Sequence, residues 1–138
     1  MKKILLFTAF LVLSSLPLQA VEKETVVLRE WNNGSNIEYL EYTRNNRRGN
    51  LSTYTIRSVF GEMQKADDKG SYDTSISKFI MDCKDGLFRL NKTYFLNGEE
   101  FVTISKYDEL YYSDKPLLGW KKVNSDKIHE KVSEILCN

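Results

Sequence analysis

The sequence predicts an α+β domain: a single antiparallel meander sheet of five to six strands, with one C-terminal helix packed on one face and one disulfide bond. Three observations predict it. Short apolar segments alternate with turns that contain Asn-Gly or Asp-Gly, the strongest short-range signal for hairpins. An amphipathic segment closes the chain. The chain holds only two cysteines, Cys83 and Cys137, which are far apart in sequence.

The first residues have the features of a secretory signal peptide. Two lysines precede an apolar run that ends at Leu13, and Ala20 offers the small residue that a cleavage site needs. We therefore predict a signal peptide over 1–20 and a single domain over 21–138, exported to the periplasm, the cell surface or the medium. The apolar run is too short to span a membrane. No cysteine stands directly after the cleavage site, so we predict no lipid anchor on the mature N-terminus.

The charge balance argues against nucleic acid as a partner. Two of the 20 basic residues lie in the predicted signal peptide and all 19 acidic residues lie outside it, so cleavage would change the formal net charge from +1 to −1. A near-neutral chain has no basic surface of the kind that attracts a phosphate backbone. The remaining length suits one hydrophobic core.

The predicted strands follow one another at short intervals. They cover Thr25–Trp31, Ile37–Tyr42, Leu51–Phe60, Ser75–Cys83, Leu87–Leu96 and Phe101–Ser105. Alternation is clearest in the third, where Tyr54, Ile56 and Phe60 share one face. The polar stretch 61–74 has no period and predicts a long loop.

Two strands flank the Asp85-Gly86 turn signal, and each has predicted faces. In the strand before the turn, the alternation places Phe79, Met81 and Cys83 on one face and Ile76 and Ile80 on the other. In the strand after it, strict alternation gives one shared face to Phe88, Leu90, Tyr94 and Leu96. The isoleucine pair on this second face is a weak indication of a homodimer formed through that face or its edge.

Two cysteines in an exported protein favour one disulfide bond between Cys83 and Cys137. Such a bond would close a loop of about 55 residues, which the chain-entropy relation values at roughly 4 kcal/mol. It would attach the end of the chain to the middle of the domain.

The C-terminal segment predicts one short helix. Its apolar positions follow helical spacing, and we assign them a structural role: Ile128, Val132, Ile135 and Leu136. Asn124 or Ser125 is the predicted N-cap, with Asp126 in the first turn. His129 falls off the apolar face and is predicted at the surface. Trp120 precedes the helix, and we expect it to pack on the sheet.

Arg44, Arg47 and Arg48 form the one basic cluster in the sequence, with Arg57 in the following strand. Guanidinium groups pair well with sulfate and carboxylate, so this cluster could bind an acidic polysaccharide or an acidic protein segment. The alternative interpretation is a solvated hairpin loop.

Tyr107, Tyr111 and Tyr112 form a tyrosine-rich segment after the last strand. Tyrosine is common in interfaces because its ring packs while its hydroxyl stays in water. The segment therefore predicts an aromatic interface; the alternative is a loop folded over the sheet edge.

No pattern in the sequence predicts catalysis. His129 is the single histidine, and neither a nucleophile–base set nor spaced metal ligands accompany it. We predict no catalytic residues, no metal site and no cofactor, and hence not an enzyme.

Four features together carry a resemblance to a known family. They are Asp82-Cys83, the Phe88-Arg89-Leu90 strand, Trp120 and the terminal Ile135-Leu136-Cys137. In order and spacing the chain resembles the surface-adhesin protein E family of Gram-negative bacteria, over most of residues 21–138. Unlike the lipoprotein that names the family, this chain has no cysteine directly after its signal segment.

The resemblance implies a six-stranded antiparallel sheet with a C-terminal helix and one disulfide bond. It also implies an adhesin-like function, binding a host matrix or serum protein, and a capacity to form homodimers. The alternative is a periplasmic inhibitor or immunity protein that binds a toxin or a hydrolase, since small exported disulfide domains suit that role.

Overall fold

The computed structural model describes residues 23–43, 47–66, 68–106 and 119–138. The strands are β1 (Lys23–Trp31), β2 (Asn36–Thr43), β3 (Arg47–Arg48), β4 (Leu51–Lys65), β5 (Ser71–Asp82), β6 (Leu87–Asn97), β7 (Glu100–Lys106) and β8 (Lys121–Lys122). A 3-10 turn at Val123–Ser125 leads into the helix α1 (Lys127–Leu136). Within these ranges, no helix has the length and apolarity that a membrane crossing requires.

The six long strands form one antiparallel sheet in the order β1-β2-β4-β5-β6-β7, while β3 pairs with β4 and β8 with β6. The predicted meander sheet with one C-terminal helix and one disulfide bond is thus confirmed. The turn signals act as expected between β1 and β2, where Asn32 and Asn33 have φ of 52° and 55° and Gly34 has 80°. Asparagine and glycine tolerate this left-handed backbone better than other residues.

The core lies between α1 and one face of the sheet. Its buried apolar members are Leu28, Leu40, Tyr54, Ile56, Met81, Phe88, Val123 and Val132. Leu40, Met81 and Val132 have no exposed surface. At its border pack the partly buried Ile128, Ile135 and Leu136. A ten-residue helix is marginal alone, so this packing is what stabilises α1.

The disulfide bond joins Cys83, directly after β5, to Cys137, directly after α1, with the two Cα atoms 5.5 Å apart. Arg47 supports the same corner, because its guanidinium donates to the Leu136 carbonyl oxygen at 3.2 Å. The last turn of α1 is therefore held to the sheet by a covalent bond and by a charged donor at the helix end.

The prediction of a long loop over 61–74 is wrong, because β4 continues to Lys65 and β5 begins at Ser71. Pairing is irregular between Val59 and Gln64, and this bulge removes the alternation that marks a strand in sequence. Aromatic contacts hold the extension: the Phe60 ring lies 6.0 Å from Tyr72. Phe60 also lies 6.2 Å from Trp31 of β1.

The prediction that Phe88, Leu90, Tyr94 and Leu96 share one face of β6 is also wrong. The β5–β6 register shifts between Lys78 and Phe79, so that Lys78 pairs with Lys92 while Phe79 pairs with Leu90. Asn91 is therefore the extra residue of a bulge. Phe88 and Leu90 face α1, whereas Tyr94 and Leu96 face the other side, since a bulge reverses side-chain parity beyond it.

The N-cap of α1 is Asp126, not Asn124 or Ser125. Its Oδ1 accepts from the backbone N–H groups of Ile128 at 2.8 Å and His129 at 3.3 Å. Although desolvation acts to raise it, these two donors and the nearby imidazole hold the pKa of Asp126 below its usual value. The predicted cap residues instead form the 3-10 turn before it.

Candidate functional site

The sheet face opposite α1, which we call the open face, carries the residues that suit binding. Register places on it Tyr39, Glu41, Thr53, Thr55, Arg57, Ile76, Lys78, Ile80, Lys92 and Tyr94. No helix of the described ranges covers this face. Its composition is unlike that of the opposite face, because it combines cations, tyrosines, β-branched aliphatic residues and threonines.

A shallow cleft of about 680 Å³ lies on the open face. Its lining residues from that face are Lys23, Glu41, Thr43, Thr53, Thr55, Lys78, Ile80 and Lys92. The volume is in the range of ligand sites in proteins, roughly 300 to 1,000 Å³. The cleft crosses five neighbouring strands, so a ligand in it would lie over the face of the sheet and not along a free edge.

Glu41 is the anionic group at one end of the cleft. It is buried and pairs with two cations: Lys23 at 2.5 Å and the Arg57 Nε at 3.1 Å. The Arg57 guanidinium also lies over the Tyr39 ring at 5.1 Å. These contacts hold both cations beside one carboxylate and fix the aromatic ring, so this end of the cleft is preorganised.

The other end of the cleft is cationic. Lys78 of β5 stands directly opposite Lys92 of β6, and Lys92 stands opposite Lys106 of β7 in the backbone register. We call Lys78 and Lys92 the lysine row. The ammonium groups of Lys78 and Lys92 lie over the Tyr94 ring, 5.6 and 5.5 Å from its centroid. Among the residues that the structure describes, neither of these two lysines forms an ion pair with a carboxylate.

Of the three arginines predicted as a basic cluster, Arg47 and Arg48 lie within the described residues. Arg47 and Arg48 form β3, and Arg47 bonds to the end of α1. Arg48 is exposed, and Arg44 lies outside the described residues. Arg57 points into the open face and pairs with Glu41. Arg47 therefore supports the fold.

The predicted tyrosine interface, Tyr107, Tyr111 and Tyr112, also lies outside the described residues.

Trp120 is half-buried directly before β8, and the Arg89 guanidinium lies 4.9 Å from the centroid of its ring. Register places Arg89 opposite Ile80, so Trp120 packs at the open-face end of β6 and does not join the core under α1.

His129 is buried, with 6% of its surface exposed, so its predicted surface position is wrong. Its ring stacks on Phe88 at 3.7 Å between centroids and lies 4.8 Å from Phe79. Nδ1 is 3.4 Å from a carboxylate oxygen of Asp126, while Nε2 has no hydrogen-bond partner among the described residues. The buried side of α1 is therefore wider than the side that its aliphatic residues occupy, because the imidazole packs against aromatic rings of the sheet.

We expect the free energy of unfolding to fall as the pH drops from about 7 to about 5. Desolvation lowers the pKa of His129 from its usual 6.5, although Asp126 and Glu38 act to raise it. The unfolded chain then takes up the proton first, so the stability is complete above pH 6.5 and is lost as the pH falls towards the folded-state pKa. Urea unfolding at several pH values measures this slope.

His129→Phe is the matched control for that slope. Phenylalanine keeps an aromatic ring in the pocket and does not titrate, and His129 is the only histidine of the chain. Asp126 remains ionised in this range, since its pKa lies below the usual value. An equal slope in the variant would contradict the assignment.

Taken together, the described residues define a small antiparallel-sheet domain that is closed on one face by a helix and carries a cationic cleft on the other. They contain no group of three or more His, Cys, Asp or Glu residues placed to hold a metal ion. Comparisons with protein-family models, curated proteins and solved structures give no match.

Proposed function

We propose that this chain is an exported binding protein without catalytic activity, and that it engages a partner through the open face. The observation that carries the proposal is the cleft on that face, with Tyr39 and Tyr94 held in place by cations beside it. Tyrosine is enriched in protein interfaces, and a concave surface is typical of ligand sites. The one histidine supports it, since it packs among aromatic rings under α1, away from the cleft.

The partner class follows from the resemblance to the surface-adhesin protein E family, which favours a host matrix or serum protein. The disulfide bond is compatible with export, because such bonds persist in oxidising compartments. A homodimer through the open face would be compatible with the same surface, since Ile76 and Ile80 lie on it.

The test is capture by the immobilised protein from two sources: host serum with solubilised matrix, and periplasmic extract of the producing bacterium. We expect capture from the host source, and expect Ile76→Thr/Ile80→Thr to reduce it by about tenfold, because apolar contact on the open face is lost while the β-branched shape remains. Met63→Thr is the matched control, since Met63 is 50% exposed in the extension of β4.

The outcomes separate the candidate functions. Capture of a hydrolase or toxin from the periplasmic extract alone would replace the adhesin with the inhibitor function. Equal capture by the open-face variant and the wild type would reject the open face as the binding surface. Labelling of intact cells with an antibody tests the location, because a protein confined to the periplasm cannot act as an adhesin.

A further inference from the structure

The lysine row breaks a rule of sheet construction. Residues directly opposite on neighbouring strands have side chains in contact range, and like charges there destabilise the sheet. Lys78 and Lys92 occupy such a pair on the open face. Departures of this kind are expected where a function needs them.

Nothing in the described part of the cleft offsets this charge. Glu41 lies in the same cross-strand line, separated from Lys78 by Thr55, but it already pairs with Lys23 and Arg57. The Tyr94 ring lies near both ammonium groups and stabilises them only in part. The row therefore presents donors that a bound anion would satisfy.

We propose that the lysine row binds an anionic polysaccharide, one that carries sulfate or carboxylate groups on successive sugars. This proposal rests on the open face being the binding surface, and it names the chemistry of a ligand for it. Strands in a sheet lie about 4.8 Å apart, so Lys78 and Lys92, on neighbouring strands, present two closely spaced cations. Closely spaced anions on one chain match that arrangement.

The remaining lining of the cleft suits sugars. Thr43, Thr53 and Thr55 present hydroxyl groups, and Asn91, the bulged residue, adds an amide beside Lys92. Hydroxyls and amides both donate and accept hydrogen bonds, as sugar hydroxyls do. Tyr94 provides a ring next to the two lysines.

An acidic peptide fits this surface less well. Extended peptides commonly bind by adding a strand to a free sheet edge, where backbone groups are unpaired. β5 and β6 are internal strands whose backbone groups are paired on both sides through most of their length. Affinity at the lysine row must therefore come from charged groups of the ligand. A charged polysaccharide carries such groups on every unit.

The experiment measures binding of a heparin-derived decasaccharide to the exported protein by titration calorimetry, with uncharged dextran and polyglutamate as comparison ligands. We expect the decasaccharide to bind, to weaken as salt is raised, and to outcompete both others. Lys78→Gln/Lys92→Gln should weaken it by tenfold or more, since each lost charge-assisted contact is large. Lys65→Gln/Lys69→Gln, at the exposed β4–β5 connection, removes equal charge and should change affinity by less than about twofold.

A second readout separates this role from a structural one. Removal of the like-charge pair should raise the melting temperature of Lys78→Gln/Lys92→Gln while binding falls, so loss of binding would not come from misfolding. A lower melting temperature, or equal decasaccharide affinity in the two double variants, would overturn the proposal. Polyglutamate that binds as tightly as the decasaccharide would overturn the assignment to a polysaccharide. If no anion binds but capture of a protein depends on Ile76 and Ile80, this inference fails and the proposed function stands.

Discussion

Replacement of Cys83 and Cys137 by serine lowers the free energy of unfolding by about 4 kcal/mol. The bond spans a sequence separation of 54 residues, so its loss returns a large loop entropy to the unfolded chain. For a domain of this size the melting temperature falls by about 15 °C. Thermal unfolding followed by circular dichroism measures the change, and α1 should lose its signal first, because its last turn is held at this bond.

The wild-type protein under reducing conditions is the control for that variant. It should melt at the same temperature as Cys83→Ser/Cys137→Ser, since both lack only the covalent connection. Arg47→Met should cost far less, because its contact with the Leu136 carbonyl is exposed. An unchanged melting temperature on reduction would mean that packing of Val132 and its neighbours alone holds α1.

The parts of the fold that depend on local chemistry could be predicted from the sequence. Asn32, Asn33 and Gly34 mark a turn because few residues tolerate their backbone angles. Val132 and its helical neighbours mark the buried side of α1 because helical spacing brings them to one side. The pairing of Cys83 with Cys137 could be predicted from the number of cysteines and the predicted export.

The parts that depend on register could not be predicted. The turn at Gly86 begins with Asp82 opposite Leu87, and unbroken pairing would place Lys92 opposite Ser77, on the side of α1. The bulge at Asn91 shifts the pairing by one residue and turns Lys92 to the open face, opposite Lys78. No local propensity marks that bulge, so the lysine row has no signal in the sequence beyond the alternation of β5.

The burial of a polar residue also cannot be predicted from the periodic pattern of apolar residues. The sequence predicts His129 at the surface because helical spacing places it off the aliphatic face, yet it packs on Phe88 and Phe79. Those two residues come from strands at least 40 positions earlier in the chain. Only the packing of α1 across β5 and β6 shows that the pocket around His129 is aromatic. The pH dependence of stability follows from the burial of His129 in that pocket.

Leu40→Ala lowers the free energy of unfolding by about 3 kcal/mol, within the range measured for large-to-small changes at buried sites. Leu40 has no exposed surface and stands between Val26 of β1 and Ile56 of β4 on the side of α1. Its neighbours belong to a sheet whose ladder holds their spacing, so the space left by the side chain cannot close fully. Urea unfolding measures the difference.

Leu51→Ala is the matched control for this substitution. It removes the same atoms from a leucine that is 41% exposed at the start of β4, and it should change the free energy of unfolding by less than about 0.5 kcal/mol. Comparison of the two variants tests where the core lies, because they differ in burial and not in chemistry. If both cost the same, the open face would itself be packed against another part of the chain or a second copy, and the cleft would not be accessible to a ligand.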